Sequence, residues 1–146
     1  MKYLYYFCIG LIALILIFLA YTKWASPQKE SDTVRIWQTQ TDEQANVTVA
    51  VTPVDLSPQV KEWKFDIVMN THSVELGQNM AESTVLMDDS GKEYKPLRWE
   101  GAAPGGHHRE VVLSFSRLTS APKSIELKIT GIADTIRTFT WQLEDK

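Results

Sequence analysis

The sequence predicts an all-β domain, an antiparallel sandwich of about seven strands, preceded by one N-terminal transmembrane helix. Three observations point there. Residues 3–22, "YLYYFCIGLIALILIFLAYT", carry no charge and are almost wholly apolar. From Asn46 onward, apolar residues recur with period two, in short runs separated by turn-forming residues. No segment after the apolar run sustains the 3.6-residue period of a helix.

The apolar run comes first. At about 1.5 Å per residue, about 20 helical residues span about 30 Å, the thickness of the bilayer hydrocarbon core. Tyr3, Tyr5 and Tyr6 at one end, and Tyr21 and Trp24 at the other, match aromatic belts at the two interfaces. The run exceeds the ~7–15 residues of a signal-peptide core, and no small-x-small cleavage site follows it, so an uncleaved anchor is expected. Cys8 lies inside the run, too early to be a lipidated N-terminus. A head of one or two residues favours a cytoplasmic N-terminus and export of the rest. The expected organisation is an anchor over 1–24, a polar tether over 25–45 and a sandwich domain over 46–146. The protein would be single-pass in the cell membrane, with its C-terminal domain extracytoplasmic. That domain has no cysteine and so needs no oxidising compartment.

Within the tether, Val34–Trp37 forms a candidate short first strand. "NVTVAVTPV" then places Val47, Val49 and Val51 on one face. "EWKFDIVMN" places Trp63, Phe65, Ile67 and Met69 opposite Glu62, Lys64 and Asp66, the signature of a half-buried antiparallel strand. The segment 73–83 is a short helix or turn. Further strands are expected over 83–88, 93–99, 109–115, 124–130 and 135–143. "DDSG" makes a tight turn, with Gly91 supplying φ > 0. Pro96 marks its strand as an edge or a bulge, and "TGIAD" closes the last hairpin. Turn signals at this density predict an immunoglobulin-like sandwich without the inter-sheet disulfide. Trp63, Phe65, Phe115, Phe139 and Trp141 would fill its core.

From residue 31 on, 12 basic residues face 17 acidic ones, a formal charge of −5. That balance argues against nucleic acid or an anionic lipid surface as partner. Unusual polar residues collect in "MNTHSVEL" (69–76), "DDSGKE" (88–93) and "WEGAAPGGHHRE" (99–110). Strand alternation puts the first and third of these at one pole, so His72, His107 and His108 form a candidate cluster. Three imidazoles suit Cu or Zn, with Glu75, Glu100 or Glu110 adding an oxygen and Met69, Met80 or Met87 a thioether. Against this, neighbouring His107 and His108 on a strand point to opposite faces unless Gly105-Gly106 makes the loop irregular. The bland alternative is a buried corner histidine bonded to backbone groups, with Thr71 and Ser73 capping loop amides. Trp99 is expected to cover one end of the core. Asp88, Asp89 and Glu93 lack the length and alternation of a calcium loop. Ser73, His72 and Glu75 lie too close together along the chain for a hydrolase triad, and no G-x-S-x-G elbow occurs. Asn46-Val47-Thr48 matches a glycosylation sequon at a strand start.

"NTHSVEL" (70–76), "DDSGKEYKPLRWEG" (88–101) and "PGGHHRE" (104–110) resemble a group of uncharacterised microbial proteins. In these an N-terminal membrane segment or lipid anchor precedes a small β-sandwich. The resemblance covers roughly residues 46–143. It implies an extracytoplasmic, membrane-tethered immunoglobulin-like domain of bacterial or archaeal origin, and no activity. A looser similarity to copper-chaperone sandwiches fails on spacing, because there is no Met-rich cluster and no N-terminal histidine. The expected function is a non-enzymatic binding module that engages another envelope or membrane protein and needs no cofactor. Its expected surface is His72, Trp99, Gly105, Gly106, His107 and His108. The alternative is a Cu- or Zn-binding protein using His72, His107 and His108.

Overall fold

A computed structural model describes Leu11 and residues 35–143. The anchor expected over 1–24, apart from Leu11, and residues 25–34 of the expected tether lie outside the described residues. Among the described residues no helix is long and apolar enough to cross a membrane. The chain divides into two units between Val34 and Arg35.

Among the described residues, the unit from Arg35 onward is built of nine strands and one short helix. They are β1 (Gln40–Gln44), β2 (Val47–Asp55), β3 (Glu62–Thr71), α1 (Met80–Ser83), β4 (Thr84–Asp88), β5 (Glu93–Tyr94), β6 (Arg98–Gly101), β7 (His108–Ser116), β8 (Ser124–Ile132) and β9 (Thr135–Gln142). One sheet has the order β1-β2-β3-β7-β6 and the other β5-β4-β8-β9. All neighbours are antiparallel.

The period-two pattern explains the layering. On β3, Trp63, Phe65, Ile67 and Met69 are buried while the residues between them are half-exposed. β2, β7, β8 and β9 contribute Val47, Val49, Val51, Val111, Leu113, Phe115, Ile125, Leu127, Ile129, Phe139 and Trp141 to the same core. The rings meet across the gap between the sheets. Phe65 packs edge-on against Phe115 of its own sheet at 5.7 Å and tilted against Trp141 of the other sheet at 5.6 Å. Burying about 150–250 Å² of ring surface contributes about 4–6 kcal/mol per residue, before the entropy of ordering is subtracted.

Two hairpins turn on two-residue loops with positive φ at both positions. They are Ala45-Asn46 at 48° and 60°, and Ala133-Asp134 at 51° and 55°. This geometry follows the right-handed strand twist.

Three expectations need correction. The polar stretch assigned to the tether through Ala45 contains β1, which pairs with β2 from Gln40↔Val51 to Gln44↔Val47. Its side chains reach across to the other sheet. Arg137 donates to Asp42 and to the Gln44 carbonyl, and Gln40 bonds to both backbone groups of Thr140. In the candidate strand at Val34–Trp37, the described residues from Arg35 on belong to no strand, because residues 35–39 have no regular structure. Instead Trp141 Nε1 donates to the Gln38 carbonyl.

The third correction concerns 93–99, expected as one strand. It is split into β5, an edge of one sheet, and β6, an edge of the other. Pro96 sits between them, where the chain changes sheet. A residue that cannot donate to a ladder fits this crossing. Splitting this strand and adding β1 bring the expected seven strands to nine.

Candidate functional site

The chain enters the domain at one pole, where Arg35 donates to the carbonyls of Gln142 and Leu143. The opposite pole gathers the 45–46 turn, the 72–79 loop, the 102–107 loop and the 133–134 turn. Thr71 N–H donates to the His107 carbonyl, and register pairs Asn70 with His108. The two longer loops then zip together. Leu76 N–H donates to the Gly106 carbonyl and Gly105 N–H to the Leu76 carbonyl. Gly105 and Gly106 hold φ of 120° and 76°, conformations that favour glycine.

Two arginines close the core here, and both are fully buried. Arg109 shares strand parity with Val111, Leu113 and Phe115. Its guanidinium donates to the carbonyls of Ala102, Leu76 and Gln78 and lies 5.2 Å from the centre of the Trp99 ring. No carboxylate among the described residues pairs with it, and burial lowers its pKa from the ordinary arginine value. Three carbonyl dipoles and an aromatic face stand in for a counter-ion. Arg137 has the same parity as Phe139 and Trp141 and pairs with Asp42.

The expected surface residues separate. His72, His107 and His108 are all exposed, so none is a buried corner histidine. His108 lies on the outer face of its sheet. Its Nδ1 is 2.5 Å from Asn70 Oδ1 and its Nε2 is 3.1 Å from Glu110 Oε1. Trp99, paired in register with Leu113, has the inward parity and lies half-buried against the core. Trp99 and His108 therefore lie on opposite faces of one sheet. Among the described residues no three His, Cys, Asp or Glu side chains are arranged to hold a metal ion. His108 has both ring nitrogens engaged.

What does converge is a row the histidines alone do not reveal. Register aligns Glu43 with Thr48, Thr48 with Asn70 and Asn70 with His108. Four polar side chains thus cross four strands at one level of the outer face. The row borders a groove of about 490 Å³. Glu43, Asn46 and Thr48 line it from the first hairpin, and Asn70 through Ser73 from the end of β3. Thr71 fixes its floor. The Thr71 hydroxyl donates to the Asn46 carbonyl at 2.9 Å and accepts from the amides of Ser73 and Val74, both at 3.2 Å. Of the expected surface residues, His72 lines this groove and His108 flanks it through Asn70.

Farther down the same face, Arg98 forms a bidentate pair with Glu62 and also bonds Glu100. The Arg98 hydrogen bonds lower the Glu62 pKa, and the same bonds raise that of Arg98. At the "DDSG" turn Asp88 is a cap. It accepts from the Ser90 hydroxyl, the amides of Ser90 and Lys92 and the Tyr94 hydroxyl. The Ser90 hydroxyl leads these bonds in holding its pKa at about 2, below the ordinary 3.8.

Arg109, Arg137, Glu43 and Thr48 do not stand out in the sequence as site residues. The two arginines carry a detectable signal, because each interrupts an otherwise apolar parity set. The row carries none, because it depends on the register of four strands. No protein-family model, curated protein or solved structure matches the chain.

Proposed function

We propose that this is a non-enzymatic binding module of immunoglobulin-like type, held outside the cytoplasm by an N-terminal membrane anchor. It engages another envelope or membrane protein through the groove pole. The row from Glu43 to His108, with the groove beside it, carries the proposal. A preformed concavity with several polar groups on rigid strands is what a recognition site requires.

Strand order supports the fold assignment. β2-β3-β7-β6 against β4-β8-β9 follows the ABED and CFG sheets of an immunoglobulin domain, with β1 and β5 added at edges. By that correspondence the 72–79 loop joins strands B and C and the 133–134 turn joins F and G. Variable domains bind antigen at the end where these two connections lie, so the support is by analogy.

Photo-crosslinking tests the proposal. A photoreactive residue at His72, at the groove, should yield a discrete adduct in native membranes. The same residue at Thr138, exposed on the other sheet, should not. Equal adducts from both positions, or an adduct from Thr138 alone, would place recognition elsewhere.

A further inference from the structure

The groove holds a single formal charge, the Glu43 carboxylate, and no lysine or arginine lines it. The cations that approach this pole are already engaged. Arg137 turns inward to Asp42 and Arg109 to three carbonyls. Farther along the face Arg98 is held by Glu62 and Glu100. Among the described residues, the Glu43 carboxylate has no hydrogen-bond or ion-pair partner. The domain as a whole is acidic, with 12 basic against 17 acidic residues from residue 31 on.

We propose that the groove receives the ammonium of a lysine side chain presented by the partner, an inference that rests on the groove being the binding surface. The chemistry selects this class. An ammonium has three donors and no acceptor. Glu43 offers a carboxylate, and Thr48 and Ser73 offer hydroxyl oxygens. Glu43 and Thr48 are directly opposed on one face, so their Cβ atoms stand about 4.5–5.5 Å apart. One ammonium can bridge acceptors at that spacing.

Other ligand classes fit less well. An anion would meet Glu43 with no cation to offset it. A guanidinium gains much of its advantage from a bidentate partner plus an aromatic face, and no aromatic ring lines the groove. The same lack removes the stacking platform that a sugar ring would use. The Thr71 hydrogen bonds hold the floor before any ligand arrives, which lowers the ordering cost of binding.

The test uses the full chain in nanodiscs, titrated with Nα-acetyl-lysine methylamide and followed by amide chemical shifts. Nα-acetyl-norleucine methylamide serves as a neutral probe of similar shape, and the glutamate analogue as an anionic one. Saturable shifts at Glu43, Thr48 and Asn70 with the lysine probe alone are expected. Glu43→Gln should weaken that binding about tenfold, the scale of one charge-assisted hydrogen bond. Glu126→Gln, on the other sheet, should leave it unchanged. Added salt should weaken it as well.

Groove shifts with the neutral or anionic probe in preference to lysine would overturn the ligand class and leave the groove as a binding surface. Lysine binding that Glu43→Gln leaves intact would overturn the role of Glu43. No groove shift with any probe would overturn the inference, and the crosslinking result would then decide whether the groove binds anything.

Discussion

Removing the Asp42 carboxylate should cost the domain more than removing its arginine partner. The reason is an asymmetry in burial. The Arg137 side chain is 0 % exposed, whereas that of Asp42 is 22 % exposed. Asp42→Ala strands a fully buried guanidinium, which retains only the Gln44 carbonyl. Breaking a buried pair in this way costs about 3–5 kcal/mol. Arg137→Met keeps most of the aliphatic packing and leaves a carboxylate that can turn toward water. The Gln44 carbonyl, on an exposed residue, can also be solvated, so about 1–2 kcal/mol is expected. The double variant should match Arg137→Met alone, giving a coupling of about 3–5 kcal/mol. For a domain of this size the single Asp42→Ala change should lower Tm by about 10–20 °C. Urea unfolding of fragment 35–146, followed by tryptophan fluorescence, measures all three variants. If Arg137→Met costs as much as Asp42→Ala, or if Asp42→Ala costs under about 1 kcal/mol, burial asymmetry does not govern the pair.

Three further outcomes are expected from the geometry. Gly101 holds φ of 126°, and a Cβ there would lie 2.4 Å from the Glu110 carbonyl oxygen and 2.9 Å from Val111 Cα. Gly101→Ala should therefore destabilise by at least about 2 kcal/mol in urea unfolding, and a silent substitution would mean that β6 does not pack as described. Phe65→Ala should cost about 3–5 kcal/mol, and a double-mutant cycle with Trp141→Ala should return about 0.5–1.5 kcal/mol of coupling across the sheets, with zero coupling contradicting their contact. Asp88 has a folded pKa of about 2 against an ordinary 3.8, so its stabilising contribution is complete above that ordinary value and is lost as pH falls toward 2. Unfolding midpoints measured from pH 6 to pH 2 should show this acid limb in the parent and a shallower one in Asp88→Asn; parallel profiles would contradict the assignment.

Much of the sandwich is legible in the sequence because its central strands alternate cleanly. Trp63, Phe65, Ile67 and Met69 announce an inner face in the sequence and occupy one in the structure. β1 is hidden because it is a polar edge strand with no apolar set of its own. The Gln40 and Asp42 side chains and the Gln44 carbonyl reach the other sheet by hydrogen bonds rather than apolar burial. The β5–β6 split is hidden because seven residues with one proline read as one strand until two separate sheets claim its ends.

The pole is harder still. Glycine and histidine content draws attention to residues 105–108, yet the buried polar group there is the next residue, Arg109. The place of His108 in the row depends on β7 pairing with β3, two strands separated in sequence by α1, β4, β5 and β6. No local pattern encodes that pairing. The double histidine marks the rim, while the row beside it comes from residues that look ordinary along the chain.

The central claim is that recognition occurs at the groove on the outer face. A steric block tests it most directly. Thr48 is half-buried in the middle of the row, on a strand where a large aromatic side chain suits the backbone. Thr48→Trp should fill the groove with the fold intact, and Thr138→Trp should place the same bulk on the other sheet. The measurement is recovery of the crosslinked partner complex from native membranes for each variant. Loss with Thr48→Trp and full recovery with Thr138→Trp is the predicted result. Full recovery with Thr48→Trp, in a chain shown by circular dichroism to be folded, would contradict the claim.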